Sequence, residues 1–337
     1  MTPADAPPPS ARRLMLLDSA SLYFRAFHGI PEKITAPDGT PVNAVRGFLD
    51  MISTLVTLRR PRRLVACWDD DWRPAFRVAA IPSYKAHRVA DPARNLEVVP
   101  DTLGPQVPVI AEVLAAFGIA RVGAPGLEAD DVIGTLTTRE VTAADGTGAA
   151  DVDVVTAADG TGAADVDVVT GDRDLFQLVD DGAGVRVLYT GRGVRNLETV
   201  DQARLAAKYG VPTGGGYADL AVLRGDPSDG LPGVPGIGEK TAAALITRYG
   251  DLDGLLAAVR DGHRDLSPGT VRKLTAAADY LAVAPAVVRV VRDAPIPPVD
   301  DALPPTPAHP DALVALAERW GIESSLSRLV QALTPAP

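Results

Sequence analysis

The chain has 337 residues with 46% apolar side chains, enough for one large or two ordinary domains around a real core. Its single cysteine, Cys67, excludes a disulfide framework and fits a reducing cytoplasm, while 31 Gly and 30 Pro stay below the level that signals disorder. A net charge of −10 argues at first against a nucleic-acid partner, but residues 141–168 hold six Asp and no Lys or Arg, so the remainder carries only −4.

Residues 1–12 are rich in Pro and Ala and lack the apolar stretch of a signal peptide, so they read as a frayed tail. No uncharged apolar run is long enough to span a membrane. Leu14 to Leu17 is a continuous apolar run, which predicts a buried strand ended by Asp18. Ser19, or Asp18 itself as a plain helix cap, is placed to cap a helix over Leu22–Phe27. A helix is expected from about Asn43 to Leu58, and Arg59, Arg60, Arg62 and Arg63 read as its solvated end. Leu64–Trp68 predicts a second strand, followed by Asp69, Asp70 and Asp71. Asp69 is favoured as the acid at the strand end because it comes first. Lys85 and Arg88, at i, i+3, would share one helical face that could present both to a phosphate.

A helix over Leu103–Phe117 stops at Gly118, and Ile119–Val122 is a short edge strand. Glu128, Asp130 and Asp131 then open a helix that runs to about Thr138. Taken alone, acids in a first helical turn only complement the macrodipole. Residues 141–154 and 155–168 are the same fourteen letters, and two units are too few for a solenoid. Their Gly, Ala and Asp content predicts a surface insertion over 141–164. Val152–Thr156 and Val166–Thr170 compete for one strand position. Only the second leads into Gly171-Asp172-Arg173-Asp174, so the second copy belongs in the sheet and the first in a loop. Asp172 and Asp174, at i, i+2, would point the same way on an extended segment, and a divalent cation is the simplest compensation for that repulsion. Val185–Tyr189 is a further strand.

From about residue 196 the pattern turns helical. Helices are expected over Val200–Tyr209, Tyr217–Leu223, 251–260, 268–282 and 311–332, and residues 294–310 are either a linker or a packed strap. Gly233-Val-Pro-Gly236-Ile-Gly238-Glu-Lys240-Thr241 fails as a nucleotide-binding loop, because Glu239 separates Lys240 from the last Gly and no strand precedes it. A helix–hairpin–helix at about 218–249 fits better: close-approaching glycines and a free helix N-terminus hold a phosphate without reading bases. Acids that end several parallel strands define a rim beyond the carboxyl ends of a sheet. His28, His87, His263 and His309 show no metal-ligand spacing. Carboxylates alone therefore point to Mg²⁺ or Mn²⁺, and their number suits two ions across a phosphodiester.

Leu17-Asp18-Ser19, Tyr84-Lys85-x-x-Arg88, Glu128-Ala-Asp130-Asp131, Gly171-Asp172-x-Asp174 and Gly225-Asp226-x-Ser228-Asp229 before the glycine hairpin occur in the order of a known family. From Leu14 to beyond Tyr249 the chain resembles the 5′–3′ exonuclease and flap endonuclease family, in the bacterial form found as the 5′-nuclease domain of DNA polymerase I. The resemblance implies an α/β fold with a mostly parallel central sheet flanked by helices, a PIN-like or resolvase-like core over 13–195. A helical DNA-binding region over 196–335 would follow it. It implies a metal site of Asp18, Asp69, Glu128, Asp130, Asp172, Asp174, Asp226 and Asp229, with Asp131 close by in the catalytic cluster. Arg77, Tyr84, Lys85 and Arg88 would lie near an arch that steers the scissile phosphate. Gly233, Gly236, Gly238, Lys240 and Thr241 would form the duplex-binding hairpin, which in the family often holds K⁺ on backbone carbonyls. Gly230 departs from the common Asn, and the duplicated insertion is not a family feature. The expectation is a cytoplasmic, monomeric, Mg²⁺- or Mn²⁺-dependent nuclease acting on DNA with 5′ flaps or 5′ ends. An RNase on the same acidic sheet and a non-catalytic DNA-junction binder are the rival readings.

Overall fold

The computed structural model describes residues 12–91, 93–146 and 163–334. Its central strands are β1 (Leu14–Asp18), β2 (Arg63–Cys67), β5 (Ala120–Val122), β6 (Val166–Thr170), β7 (Val185–Tyr189) and β8 (Glu198–Val200), and a separate ribbon pairs β3 (Val89–Asp91) with β4 (Leu96–Glu97). The sheet order is β5-β2-β1-β6-β7-β8, parallel except for β8 against β7. The chain leaves β1 toward β2 and β5, then crosses back to β6 on β1's other side. The order therefore reverses between β1 and β6, which is where open α/β sheets hold their ligands.

Strand β1 is buried on both faces, as its unbroken apolar run requires. Leu14 and Leu16 join one core with Val65, Val166 and Val168. Met15 and Leu17 join the other with Leu64, Ala66 and Val169. The first core continues into α5 (Ala129–Ala144) and the helical half, α7 (Gly214–Arg224), α8 (Glu239–Tyr249), α9 (Leu252–Arg260), α10 (Pro268–Ala276) and α11 (Ala278–Val288). The second is closed by α2 (Asn43–Arg59), α4 (Gln106–Phe117), α12 (Pro310–Trp320) and α13 (Glu323–Leu333). Among the described residues no helix is long and apolar enough to cross a membrane.

Several expectations change in the folded chain. The helical region expected from residue 196 begins with β8, which pairs antiparallel with β7 before α6 (Gln202–Tyr209) starts. Its last two helices return to the sheet's far face. Residues 294–310 are a strap: Leu64 N donates to Asp301 O at 2.8 Å and Leu303 N to Arg62 O at 2.9 Å. Asp18, not Ser19, caps α1 (Ser19–Gly29), because its carboxylate accepts from Ser21 N. Only Arg60 and Arg62 of the arginine cluster are exposed as a solvated helix end. Arg59 is buried in a two-point pair with Asp167, and Arg63 pairs with Asp301 and Glu140. Helix α5 runs past Thr138 and takes in the start of the repeat, while the second copy supplies β6. The competing Val152–Thr156, most of the insertion and nearly all of the expected tail lie outside the described residues.

Candidate active site

The carboxyl ends of β1, β2, β5 and β6 bring Asp18, Asp69, Glu128, Asp130, Asp172 and Asp174 to one cleft of about 740 Å³, which Asp226 joins from the turn after α7. Asp229 lines a small adjoining cavity together with Asp130, Asp172 and Asp174. Asp18 accepts from Ser21 N at 3.1 Å and from Thr170 Oγ1 at 2.7 Å, and the same hydroxyl accepts from Asp172 N at 2.8 Å. One threonine thus ties the end of β1 to the end of β6. Of the three consecutive acids, Asp69 reaches the cleft and accepts from Ala129 N at 2.7 Å. Asp70 turns to Gly126 N, and Asp71 to Arg73 N and Asn95 Nδ2.

Burial pushes the Asp18 carboxyl up to about 7, with Asp69 and Asp172 adding to the rise against the Thr170 hydrogen bond. Asp130 and Asp174 rise well above the ordinary carboxylate range, first through burial and then through the neighbouring acids. The same burial raises Asp69, Glu128 and Asp229, opposed in each by Lys85. Burial works against the Lys85 ammonium, but Glu128 holds it protonated well above its usual range. This is the electrostatics of a site built to hold cations: like charges sit together, each partly compensated. Among the described residues no three His, Cys, Asp or Glu are already arranged as a ligand cage. Six of the eight carboxylates, Asp18, Asp69, Glu128, Asp172, Asp226 and Asp229, are instead turned to hydrogen-bond donors. The donor set, carboxylate oxygen almost throughout, fits hard divalent cations.

The basic and aromatic residues expected near the phosphate separate into two groups. Lys85 lines the cleft and donates to Glu128 Oε1 at 2.6 Å, and Arg88 lines it and donates to Asp229 Oδ1 at 2.7 Å. They do not share a helical face: Lys85 is left-handed, at φ 47°, before a single 3₁₀ turn at Ala86–Arg88. Arg77, on α3 (Ala75–Ala80), lines the small adjoining cavity and not the cleft. It is 2% exposed and bonded to Glu128, to both oxygens of Asp131 and to Val287 O. Tyr84 is also buried, its hydroxyl on Glu128. Asp131 lies behind the cleft, where it accepts from Val291 N and closes a capping box with Glu128. Asp174 is not on an extended segment. It opens the 3₁₀ turn Asp174–Leu178, with its own N–H on Asp172 Oδ1 at 3.0 Å.

This arrangement can be set against known proteins. The N-terminal resolvase-like domain of the 5′-3′ exonucleases matches residues 13–210, and their C-terminal SAM fold matches residues 213–311. The chain belongs to the 5′–3′ exonuclease family. It is thus a nuclease, a hydrolytic enzyme. It is 60% identical to a 5′-3′ exonuclease of Streptomyces coelicolor over 95% of this chain and 100% of that one. It is 51% identical to one of Mycobacterium tuberculosis over 96% and 98%. DNA polymerase I of Mycobacterium bovis is 39% identical over 76% of this chain and 25% of its own length. The fold matches the T5 D15 protein co-crystallised with metal ions, with a TM-score of 0.59, 17% identity and coverage of 96% and 100%. It also matches the catalytic core of Rad2 in complex with DNA substrate, with a TM-score of 0.54, 17% identity and coverage of 96% and 92%.

The exonuclease cleft also holds residues that the sequence reading missed. Ser21, Phe24, Arg25 and His28 line it from α1, Glu97 from β4, and Trp72 and Arg173 from the loops. The signal was present in α1, where Ser21, Arg25 and His28 fall at i, i+4 and i+7 on one face of the helix that Asp18 caps. Among the described residues the buried Arg25 Nε has no hydrogen-bond partner. In the exonuclease hairpin, Gly236, Gly238, Lys240 and Thr241 are exposed at the start of α8, whose N-terminus has no side-chain cap. Gly233 does not face outward. It is buried, and a Cβ there would lie 2.4 Å from Arg224 O.

Proposed function

We propose that the chain is a divalent-metal-dependent 5′–3′ exonuclease and 5′-flap endonuclease that acts on DNA, as a monomer, in replication and repair. The observation that carries this reading is the meeting of Asp18, Asp69, Glu128, Asp130, Asp172, Asp174 and Asp226 on one cleft at the sheet's reversal point. With Asp229 they are the ligands for two Mg²⁺ or Mn²⁺ ions. Bound there, the metal pair supplies an activated water and offsets the charge that builds on the scissile phosphate.

The chain's own groups orient the strand. Lys85 and Arg88 bring charge-assisted donors to the cleft, and Arg25 lines it from α1. The exposed N–H groups at the start of α8, with Lys240 and Thr241, hold the duplex backbone without reading sequence. The hairpin's backbone carbonyls would take K⁺. Gly236 O is already bonded to the Lys273 ammonium at 2.8 Å, so the ion would use the others of that turn. A DNA substrate is supported by the T5 D15 and Rad2 structures in complex with DNA and by the DNA polymerase I relatives.

A labelled 5′-flap duplex incubated with and without Mg²⁺ tests the reading. Cleavage should require the ion, and Asp174→Ala should lower turnover at least ~100-fold while DNA binding stays within a few-fold. Unchanged turnover in this variant rejects the mechanism. Preference for a matched RNA substrate would favour the RNase, and binding without cleavage in Mg²⁺ or Mn²⁺ would favour the junction binder.

A further inference from the structure

Two separate parts of the chain carry the acidic cleft. Asp18, Asp69, Glu128, Asp130, Asp172 and Asp174 stand on or beside the sheet, whereas Asp226 and Asp229 come from a turn of the helical half. That turn meets the segment carrying Tyr84 and Lys85 backbone to backbone. Lys85 N donates to Asp229 O at 2.9 Å, and Ser83 Oγ donates to Gly230 O at 2.7 Å. Arg88 closes the contact on Ser228 O and the Asp229 carboxylate. Gly230 has φ +72°, and a Cβ there would lie 2.0 Å from Ser83 O. In this chain a side chain there would force the two segments apart. Lys85 holds its own left-handed conformation, unusual for a non-glycine, within the same contact.

We infer that Gly230 and Ser83 are positioning residues that set how far Asp226 and Asp229 stand from the Lys85–Glu128 side of the cleft, and so how well both groups of acids hold metal together. The inference rests on the proposed metal role of these acids. A glycine needed only for its turn would behave differently. Gly262 is such a case, with φ +63° and nothing within 4 Å of an added Cβ. It serves as the control, since alanine there meets the same backbone strain and no neighbour.

The experiment uses the full chain, with Mn²⁺ alone titrated by calorimetry, flap cleavage followed against Mg²⁺ concentration, and DNA binding measured without metal. Gly230→Ala should weaken Mn²⁺ binding about tenfold and raise the half-saturating Mg²⁺ about tenfold, since sub-ångström placement governs such sites. Ser83→Ala, which introduces no clash, should move both the same way by about threefold, with rescue by Ser83→Thr. Gly262→Ala should melt lower yet bind Mn²⁺ as the parent does. Metal-free DNA binding should shift in none of them. If Gly230→Ala does not fold, the two serine variants decide. Parent-like Mn²⁺ binding in Gly230→Ala or in Ser83→Ala overturns the inference alone, as does an equal loss in Gly262→Ala. A parent protein that neither binds Mn²⁺ nor cleaves overturns the proposed function and the inference with it.

Discussion

Arg77 shows how a residue's surroundings decide its role. Its guanidinium bonds to two carboxylates and to a carbonyl of α11, and it lies among the most deeply buried side chains. Arg77→Leu would strand Asp131 without its cation and leave Glu128 with Lys85 alone, and breaking a buried pair in this way costs about 3–5 kcal/mol. The expected result is a lower urea midpoint with an unchanged slope. DNA binding per folded molecule should stay close to that of the parent, whereas an exposed phosphate contact would lose binding and keep its stability. The acids make a second prediction. Asp18 is pushed up to about 7, and Asp130 and Asp174 also rise. A carboxyl with a raised folded pKa stabilises the fold fully below its unfolded value, near 4, and that contribution is lost as pH rises through the folded value. The protein in a chelator should therefore melt progressively lower between about pH 4 and pH 7. At pH 8, Mg²⁺ at about 100 times its Kd should return about 2.7 kcal/mol. A chelator melting curve that is flat over this window would contradict the assignment.

At the scale of elements, the sequence made visible what depends on near neighbours. The apolar runs of β1, β2, β6 and β7, the acids that follow them and the glycine hairpin need only local pattern to be read. Strand β8 is hidden because three residues pair with one edge of β7 and carry no alternation of their own. The inward turn of Arg77 and Tyr84 is hidden for a related reason: their partners, Glu128 and Asp131, lie more than forty residues away. The Asp172–Asp174 spacing misled because the strand ends at Thr170, before either acid. The repeat offers a test at this scale. Asp167 on β6 is 0% exposed at its side chain and is paired with Arg59 at 2.8 Å and Arg186 at 2.6 Å. Asp167→Ala should cost about 3–5 kcal/mol in a denaturant titration. The upstream copy carries the same letters at 152–156, so a much smaller loss, restored to full size by adding Asp153→Ala, would mean that the first copy can take the β6 position. Deleting residues 141–154 or 155–168 leaves one and the same sequence, and that protein should keep both its stability and its cleavage.

Across the whole molecule, the chain encloses its sheet twice. The helical half covers one face and carries the hairpin, and the strap runs from that core, where Ala294 and Ile296 are buried, to the last two helices, which cover the other. This return makes the final helices part of the sheet domain in energetic terms. Leu313, Leu316, Ile322, Leu326, Leu329 and Leu333 are buried in the core that α2 and α4 share with β1 and β2. At about 1.5–3 kcal/mol for each such side chain, their burial is worth on the order of 10 kcal/mol, which is comparable to the whole net stability of a domain. A chain ending at residue 309 keeps every acid of the cleft and the entire hairpin, yet it loses the two helices that pack on α2 and α4 on the far face. The truncated protein should aggregate, or should bind a hydrophobic dye with weakened near-ultraviolet dichroism, and its cleavage should fall with its folded fraction. A soluble truncated chain with the parent's melting temperature would show that the far face is stable without these helices.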